Sequence, residues 1–431
     1  MMYNRTNKWA SLNKIEYADM TPGISRIKNF LEDVNNPHDK IKVIHIAGSN
    51  GKGSTATFIS EILKTSGYKT ALYTSPHLTN ITERFKINNE NISLKVLNNL
   101  LKKYSSVALK YSLSFFEYMT ALAFIYFEKK KVDIAVFETG LGGRFDATNV
   151  INNPLICIIT SITKEHQEIL GTTIRKITIE KTGIIKKDTY IVCGKLPTES
   201  IFFIKNKFTN EKIYLYGENF KFLNNATMTS GQIFNYISDE IKIRNIKINL
   251  LGEHQVINAS VAICVANLLN KMGYFLINKI SIKKGLENTI LYGRFDIREV
   301  KMNNKNFKMI IDGAHNVQGV KVFIKTLKQL DYTKKRRNFI FTVMKEKKYK
   351  YMIKYISPFV KKIILPHINN NRAVKPNILS TEFNKYVPKN KIYIVNSVKI
   401  ACDMIETSEI VIVLGSFYLV GEVLSVINNL N

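Results

Sequence analysis

The stretch KVIHIAGSNGKGST, residues 42–55, decides the fold class of this chain. Its apolar first half predicts a short buried strand, and an amphipathic helix is predicted to follow over residues 55–66. The glycines between them let the backbone turn tightly and point successive N–H groups outward. A strand, a glycine-rich turn and a helix in this order predict a site for the phosphates of a nucleotide.

The side chains of this loop support the same interpretation. Lys52 adds a positive charge suited to the β and γ phosphates, and Ser54 or Thr55 adds a hydroxyl. The spacing departs from the general G-x-x-x-x-G-K-[ST] pattern, because only two residues separate Gly48 from Gly51 and a glycine follows Lys52. An ordinary kinase or GTPase is therefore disfavoured. A glycine-rich turn with an incidental lysine is the alternative.

Short apolar runs rich in β-branched residues recur after the loop, as KTALYTS, VDIAVFETG and LICIITSIT. A helix is predicted between the first two, over residues 115–128. Strands that alternate with helices predict a mostly parallel sheet covered on both faces. Residues 190–250 show short polar and aromatic alternations, which predict antiparallel hairpins in a peripheral sheet of the first domain.

The 431 residues suffice for two domains with separate cores. A helix is predicted to begin near His254, and residues 291–295 are predicted to link the domains. Five strand candidates follow, interleaved with helical stretches: FKMIIDGAH, RRNFIFTVM, KKIILP, KIYIV and EIVIVLGS. The prediction is an α/β chain with a phosphate-loop domain over residues 1–292 and a smaller α/β domain over residues 293–431.

The charge of the chain is unusual, because 63 Lys and Arg against 34 Asp and Glu give a formal +29. Such an excess raises the question of a nucleic acid or an anionic membrane as partner. The lysines are spread along the whole length, which favours a solvated lysine-rich surface. We therefore expect neither partner, and an NTPase that binds nucleic acid remains as a rival hypothesis.

Sequence features bearing on location favour the cytoplasm. The four cysteines lie far apart without a CxxC pair, which suggests neither a zinc site nor a disulfide framework. The N-terminal sequence has no apolar core of signal-peptide length. The apolar residues 410–427 include Glu422, which is costly in lipid, so a strand, a turn and a helix are predicted there.

The loop GSNGKGS resembles the GTNGKGS of the folylpolyglutamate synthase and dihydrofolate synthase family, a branch of the Mur ligase superfamily. Other segments resemble family motifs in family order: YTSPHL (73–78), ETGLGGRFDATN (138–149), HQEILG (166–171), EKTGIIK (180–186), GEHQVINA (252–259), GRFDI (293–297), DGAHN (312–316) and LGSFYLVGEV (414–423). The resemblance implies a Mur-ligase-like P-loop domain, a smaller Rossmann-like ligase domain, and ATP in the cleft between them.

The resemblance also implies a reaction, the ATP-dependent ligation of L-glutamate to folate, and to dihydropteroate as well, through an acyl phosphate. The nearest alternative is a Mur-type ligase that adds an amino acid to a nucleotide-linked cell-wall precursor. Those enzymes carry a precursor-binding domain ahead of the P-loop, and the 47 residues before Gly48 are too few for one. We expect a monomer whose partners are its small-molecule substrates.

The resemblance assigns nucleotide contacts to both halves of the chain. The triphosphate is expected to be held by the loop residues Ser49, Asn50, Gly51, Lys52, Gly53 and Ser54. Contacts from other segments are expected from Asn258, Arg294 and Asp312. The candidate catalytic residues are Lys52, Lys181 and His315. Management of negative charge is expected to dominate this chemistry.

Two magnesium ions are implied as well. Magnesium prefers oxygen ligands, and Ser75 and Glu138 end predicted strands at the carboxyl edge of the sheet, where α/β sites lie. His166 is an unusual magnesium ligand on chemical grounds, but the family uses the histidine of this motif for metal. Lys181 resembles a lysine that family members carry as a carbamate, whose anionic oxygens support a second metal. An unmodified lysine in a salt bridge is the alternative.

For the pterin, the resemblance implies contacts at the segments SFFE and FDA. These segments contain Ser114, Phe115, Phe116, Glu117, Phe145, Asp146 and Ala147. Phe115 and Phe116 could flank a flat ring, although aromatic residues on a helix are more often core. Asp146 could accept hydrogen bonds from the pterin. Residues 20–22 match the family loosely, and that region bears on dihydropteroate binding.

Overall fold

The computed structural model describes residues 23–407 and 409–428, which form three sheets with helices packed against them. The mixed α/β class predicted from the sequence is confirmed. Residues 20–22, expected to lie near the pterin, fall outside the described residues.

Eight strands form the first sheet. They are β1 (Val43–Ala47), β2 (Thr70–Tyr73), β3 (Phe85–Ile87), β4 (Glu90–Asn91), β5 (Ile134–Glu138), β6 (Ile156–Ile159), β7 (Tyr190–Cys193) and β8 (Ile213–Leu215). Their spatial order is β4-β3-β2-β5-β1-β6-β7-β8. All neighbours from β2 to β8 pair in parallel, and only β3 and β4 run antiparallel at one edge. The strand that leads into the glycine-rich loop is therefore central.

Helices cover both faces of this sheet, which explains why all five residues of β1 are buried. Ile44 and Ile46 pack in the same core as helix Lys52–Thr65, and Val43 belongs to the core of helix Phe115–Lys129 on the other face. The remaining helices of this part are Ser25–Asp33, Leu94–Lys110, Gln167–Leu170, Ile174–Thr182, Thr198–Lys207, Glu253–Lys271 and Lys279–Asn288.

The prediction of antiparallel hairpins over residues 190–250 was wrong for residues 190–215. Strands β7 and β8 are parallel members of the main sheet, and helix Thr198–Lys207 lies between them. Only the later residues form the predicted antiparallel sheet, with β9 (Phe220–Met228), β10 (Gly231–Ser238) and β11 (Lys242–Ile248). The misleading alternation KIYLYGENFKFL contains the end of one sheet and the start of another.

Six strands form the third sheet. They are β12 (Asp296–Met302), β13 (Lys305–Asp312), β14 (Arg337–Phe341), β15 (Val360–Pro366), β16 (Ile392–Val395) and β17 (Ile410–Leu414), in the order β12-β13-β17-β14-β15-β16. The five predicted strands are confirmed and run in parallel, whereas the edge strand β12 was missed. Its helices are Val317–Gln329, Tyr349–Ile356, Pro376–Phe383, Val398–Asp403 and Phe417–Asn428.

The apolar C-terminal stretch is strand β17 followed by helix Phe417–Asn428, as predicted. In the parts of the chain that the structure describes, no helix combines the length and the apolar character needed to cross a membrane.

Candidate active site

The glycine-rich loop turns sharply between β1 and helix Lys52–Thr65. Gly51 adopts a φ of 86°, and a Cβ there would lie 2.6 Å from Oδ1 of Asn258. A Cβ on Gly48 would lie 1.9 Å from Oγ1 of Thr160. Glycine is needed at both positions because neighbouring side chains approach the backbone closely. The helix begins at Lys52, three residues before the predicted start, so that lysine lies at its N-terminus.

The polar segment after β6 holds this loop in shape. The backbone N–H of Ser49 donates to the Ser161 carbonyl at 2.8 Å, and the Ser49 hydroxyl accepts from the Thr163 N–H at 2.9 Å. The Asn50 N–H donates to the Ser161 hydroxyl at 2.9 Å, and the Thr160 hydroxyl donates to the Asn50 carbonyl at 2.8 Å. Ser49 is a predicted phosphate contact, but its hydroxyl bonds to the segment after β6 and so stabilises the shape of the loop.

Two lysine amines converge on the start of the loop. Lys52 Nζ donates to the Gly48 carbonyl at 3.2 Å, and Lys181 Nζ donates to the same oxygen at 2.9 Å. Lys181 is 4% exposed. Burial, together with the charge of Lys52, lowers the pKa of Lys181 to about 7. A large fraction of Lys181 is therefore a neutral amine at neutral pH.

Glu138, at the end of β5, is the acid nearest to these amines. Its Oε1 lies 3.9 Å from Lys52 Nζ, and its Oε2 accepts from the Ser75 N–H at 3.0 Å. Burial raises the pKa of Glu138, and Lys52 opposes that effect. The structure therefore brings together three predicted residues, Ser75 and Glu138 as candidate metal ligands and Lys52 from the phosphate loop.

His166, the third predicted metal ligand, faces a cation. Lys347 Nζ donates to His166 Nε2 at 3.4 Å, and Lys347 comes from the loop after β14 in the third sheet. Burial and then the charge of Lys347 lower the pKa of His166 to about 4, so the ring is neutral. Burial also lowers the pKa of Lys347.

A cation site built by the protein alone does not appear in residues 23–407 and 409–428, since no three His, Cys, Asp or Glu side chains lie grouped there. The buried carboxylate of Glu138 beside Ser75 nevertheless fits magnesium, which commonly uses one or two protein oxygens plus substrate phosphates. His166 fits a metal less well, because its free nitrogen already accepts from an ammonium.

Asn316 connects the phosphate loop to the third sheet. Its Nδ2 donates to Oδ1 of Asn50 at 3.0 Å and also to the carboxylate of Glu165. Its Oδ1 accepts from the Gly319 N–H at 2.6 Å and so caps helix Val317–Gln329. The motif DGAHN therefore lies directly against the loop GSNGKGS.

Arg294, Asp312 and His315 form a second group of charged and polar side chains near the end of β13, and all three are half-buried. Asp312 accepts from the N–H groups of Phe295 at 2.8 Å and Ala314 at 2.7 Å. Burial raises its pKa to about 6, although Arg294 opposes the shift. The guanidinium of Arg294 lies 4.4 Å from the ring centre of Phe417.

His315 lies next to that aromatic ring, with its centroid 5.2 Å from that of Phe417. Its Nδ1 lies 2.9 Å from the Gly313 carbonyl. Burial, followed by the charge of Lys347, lowers the pKa of His315 to about 3. Its imidazole is therefore neutral across the physiological range.

Asn258 lies against the phosphate loop from helix Glu253–Lys271. Its Nδ2 donates to Gln255 Oε1 at 3.0 Å, which leaves Oδ1 beside Gly51. The structure places this predicted nucleotide residue at the loop itself.

The segment SFFE begins helix Phe115–Lys129. Ser114 and Glu117 form a reciprocal capping box, and Glu117 also pairs with Arg26 at 3.0 Å. Phe116 packs over Gly140, where an added Cβ would lie 2.6 Å from its ring. Phe115 lies under the guanidinium of Arg84 at 5.4 Å. The polar members of this segment therefore have structural roles.

The segment FDA follows the glycine-rich turn after β5. Phe145 is 47% exposed, whereas Asp146 and Ala147 are buried. The Asp146 carboxylate accepts from the Leu141 N–H at 2.9 Å and from the Thr148 N–H and hydroxyl at 3.0 and 2.6 Å. Asp146 thus organises this turn, and Phe145 is its exposed ring.

Sequence reasoning missed several residues of this region. Thr160 and Ser161, which hold the phosphate loop, are visible only as a polar end to an apolar strand. Lys347 is one of the many lysines that are spread along the chain and predict a solvated surface. Arg84 follows the YTSPHL motif by six residues, and its proximity to that motif was the available signal.

Comparison with known proteins agrees with this geometry. The family model of the Mur ligase middle domain matches residues 46–266, and that of the Mur ligase glutamate ligase domain matches residues 293–417. The chain is 32% identical to the dihydrofolate synthase/folylpolyglutamate synthase of Bacillus subtilis, over 93% of this chain and 94% of the relative. It is 31% identical to the dihydrofolate synthetase of Saccharomyces cerevisiae, over 94% and 98%.

Solved structures give the same result. The folylpolyglutamate synthase of Thermotoga maritima superimposes with a TM-score of 0.85 at 30% identity, covering 99% of this chain and 98% of that one. A complex of folylpolyglutamate synthase (FPGS) with AMPPCP and folate has a TM-score of 0.78 at 27% identity, with 96% of each chain covered. Both halves of a Mur ligase are thus present. The chain belongs to the folylpolyglutamate synthase and dihydrofolate synthase family of these ATP-dependent ligases.

Proposed function

We propose that the chain ligates L-glutamate to folate, and to dihydropteroate as well, with hydrolysis of ATP to ADP and phosphate. The observation that carries the proposal is the convergence of Lys52, Lys181 and Glu138 at the ends of β1 and β5. Residues of the third sheet reach the same place through Asn316 and Lys347. Such a set of charges suits the transfer of a phosphoryl group.

ATP would bind where the glycine-rich loop meets the third sheet. Lys52 at the N-terminus of its helix offers a charge to the transferring phosphoryl group, together with the N–H groups of the helix. The close approach of Gly51 to Asn258 supports a loop shaped for a ligand. Arg294 is expected at the nucleotide from the other side, and Asp312 holds the adjacent backbone. The N–H groups of Gly53 and Ser54 complete the proposed contacts.

The substrate carboxylate would attack the γ-phosphorus of ATP to give an acyl phosphate and ADP. The amino group of glutamate would then attack the acyl carbon and release phosphate. Lys52 would stabilise the charge of the transferring group. The neutral ring of His315, whose Nδ1 faces the Gly313 carbonyl, would offer Nε2 as a hydrogen-bond acceptor near the nucleotide.

Magnesium would be held by Glu138 and Ser75, where it would neutralise phosphate oxygens. A second ion near His166 would require anionic oxygens from Lys181. A lysine with a pKa of about 7 supports carbamate formation, because the neutral amine is the form that reacts with carbon dioxide. Such a carbamate would also remove the repulsion between Lys181 and Lys52.

The pterin would lie near the exposed ring of Phe145 and the aromatic pair Phe115 and Phe116. The capping residues Ser114 and Glu117 would fix the start of their helix, and Asp146 with Ala147 would fix the turn that carries Phe145. The FPGS complex with folate, a relative of similar structure, supports a folate as the substrate class.

The relatives favour this activity over a cell-wall ligase, because their names are folylpolyglutamate synthase or dihydrofolate synthase. We also propose domains over residues 1–292 and 293–431, since the first two sheets end before residue 249 and the third begins at residue 296. A monomer in the cytoplasm remains our expectation.

The test is phosphate release by the purified chain with ATP and magnesium. Release should require L-glutamate and an acceptor, with dihydropteroate and tetrahydrofolate offered separately. Lys52→Ala should lower turnover by roughly 100-fold or more. Lys64→Ala, at the far end of the same helix, should leave turnover unchanged. Acceptor-independent release, or full ligation by Lys52→Ala, would contradict the proposal.

A further inference from the structure

Arg84 is a nearly buried cation that the mechanism above does not use. It ends the turn Ile81–Arg84 immediately before β3 and is 8% exposed. Its carbonyl accepts from the Thr74 N–H at 3.3 Å, which holds Arg84 beside the loop that carries Ser75. The side chain therefore lies at the carboxyl edge of β2, next to the candidate metal ligands.

No carboxylate of the described residues forms an ion pair with Arg84. Its neighbour Glu83 is committed to the backbone, accepting from the N–H groups of Leu78, Thr79 and Asn80 at 2.8 to 2.9 Å. The Nε of Arg84 donates to Nδ1 of His77 at 3.0 Å, and Arg84 also hydrogen-bonds to the hydroxyl of Tyr73, so both of these partners are uncharged. A buried guanidinium without an ion-paired carboxylate is costly unless an anion joins it.

The surroundings of Arg84 indicate where that anion belongs. On one side its guanidinium lies 5.4 Å from the ring centre of Phe115, which is expected to flank the pterin. On the other side its charge acts on Glu138, the proposed magnesium ligand. Arg84 thus lies between the expected place of the pterin and the expected place of the γ-phosphate.

Resting on the proposed function, we propose that Arg84, oriented by His77, binds the carboxylate of the pteroyl substrate that becomes phosphorylated. A guanidinium offers two parallel N–H groups that match a carboxylate. A carboxylate oxygen then bonds to the γ-phosphorus, and the bond from that phosphorus to the bridging oxygen breaks, with its electron pair leaving on ADP. Arg84 lowers the repulsion between carboxylate and triphosphate before this step.

The number of carboxylates in the two acceptors makes the assignment specific. Dihydropteroate carries one carboxylate, and that group reacts. A folate carries two on its terminal glutamate, of which only the γ-carboxylate reacts. If Arg84 binds the reacting group, its loss affects both acceptors equally. If it binds the α-carboxylate, its loss affects only the folate.

The experiment compares the affinity of the protein for pteroate and for the same molecule without its carboxyl group, with an ATP analogue present. The wild type should bind pteroate more tightly by on the order of 30-fold or more, because only pteroate can form the buried charge pair with Arg84. Arg84→Gln should remove that preference and lower turnover of both acceptors. Arg84→Lys should retain part of it. Arg298→Gln, which removes another guanidinium stacked on an aromatic ring, should retain all of it.

Several outcomes would overturn the assignment. A purely structural role would make Arg84→Gln bind both molecules more weakly by the same factor. Loss of turnover with tetrahydrofolate alone would assign Arg84 to the α-carboxylate. If Arg84→Gln does not fold, full carboxylate preference in Arg84→Lys would count against a guanidinium contact. A wild type that binds neither molecule and ligates neither acceptor would contradict the proposed function instead.

Discussion

Replacing Lys181 with methionine should make the unmodified protein more stable while abolishing ligation. Lys181 is 4% exposed, and its amine shares the Gly48 carbonyl with Lys52. Burial and the charge of Lys52 lower the pKa of Lys181 from 10.5 to about 7. Methionine has a similar length without the charge, so it fills the same space.

The size of the effect follows from the pKa of Lys181 in the two states. Below pH 7 the lysine is charged in both folded and unfolded chains, and the folded chain carries the full cost of roughly 5 kcal/mol. The lost hydrogen bond to Gly48 offsets about 1.5–3 kcal/mol of the gain. The variant should therefore exceed the wild type by about 2–3.5 kcal/mol in the free energy of unfolding at pH 6.

The difference in the free energy of unfolding between Lys181→Met and the wild type should become smaller at higher pH. Between about pH 7 and pH 10.5 the folded lysine is neutral while the unfolded lysine is still charged. The unfolded state then binds more protons, so the wild type gains about 1.4 kcal/mol per pH unit relative to the variant. The two proteins should be equally stable near about pH 9.

Urea denaturation followed by circular dichroism, in buffers free of carbon dioxide at pH 6 to 9, measures this difference. Lys64→Met, which replaces a half-exposed lysine, should give a small difference that does not vary with pH. Added bicarbonate should stabilise the wild type and not Lys181→Met if the carbamate forms. A variant less stable at pH 6, or a difference that is constant from pH 6 to 9, would refute the reasoning.

Two further substitutions test the junction at the phosphate loop. Gly51→Ala should lower the affinity for an ATP analogue by roughly tenfold or more, since the new Cβ would lie 2.6 Å from Asn258. The control is Gly67→Ala, because Gly67 has a similar φ of 93° but no atom within 4 Å of the new Cβ. This control introduces the backbone strain alone and should leave the affinity unchanged. Calorimetric titration of both variants with the ATP analogue measures these two affinities. Asn316→Ala should cost about 1–2 kcal/mol of stability and also raise the KM for ATP, because it removes a helix cap and the contact with Asn50. Asn278→Ala removes a comparable cap, so an equal rise in KM there would contradict the role given to Asn316.

Much of the fold could be predicted because local signals agreed with tertiary burial. Strand β1 is apolar and central, and the glycines after it close a turn that few other residues allow. The errors arose where strand order decides the structure. Strands β7 and β8 continue the parallel sheet across a helix, and nothing local in their sequence distinguishes that pairing from a hairpin. Strand β12 alternates charged and apolar residues at an edge, so its apolar signal was weak.

In the candidate site as well, local sequence signals predicted some features, and tertiary packing decided others. The motifs predicted which residues converge, such as Lys52 with Glu138, because each motif ends a strand at one edge of the sheet. Motifs do not show whether a charge has a partner. Arg372 forms an ion pair with Glu346, whereas Glu83, the residue next to Arg84, accepts hydrogen bonds from the backbone and forms no ion pair with Arg84. Whether a charged side chain has an ion-pair partner depends on tertiary packing, which the motifs do not show.

The charges of the site also explain why the overall +29 is a poor guide to the partners of this protein. Four cations, Lys52, Lys181, Arg294 and Lys347, come from separate segments of the chain. Burial lowers the pKa values of Lys181, His166 and His315, and the charge of Lys52 adds to that effect in all three. A triphosphate with its carboxylate partner supplies the negative charge that this arrangement favours. A nucleic acid would need cations along an exposed groove, whereas Lys181 is buried and the other three cations are half-buried. The position of these cations, and not the number of cations in the sequence, therefore selects a small polyanion as the ligand.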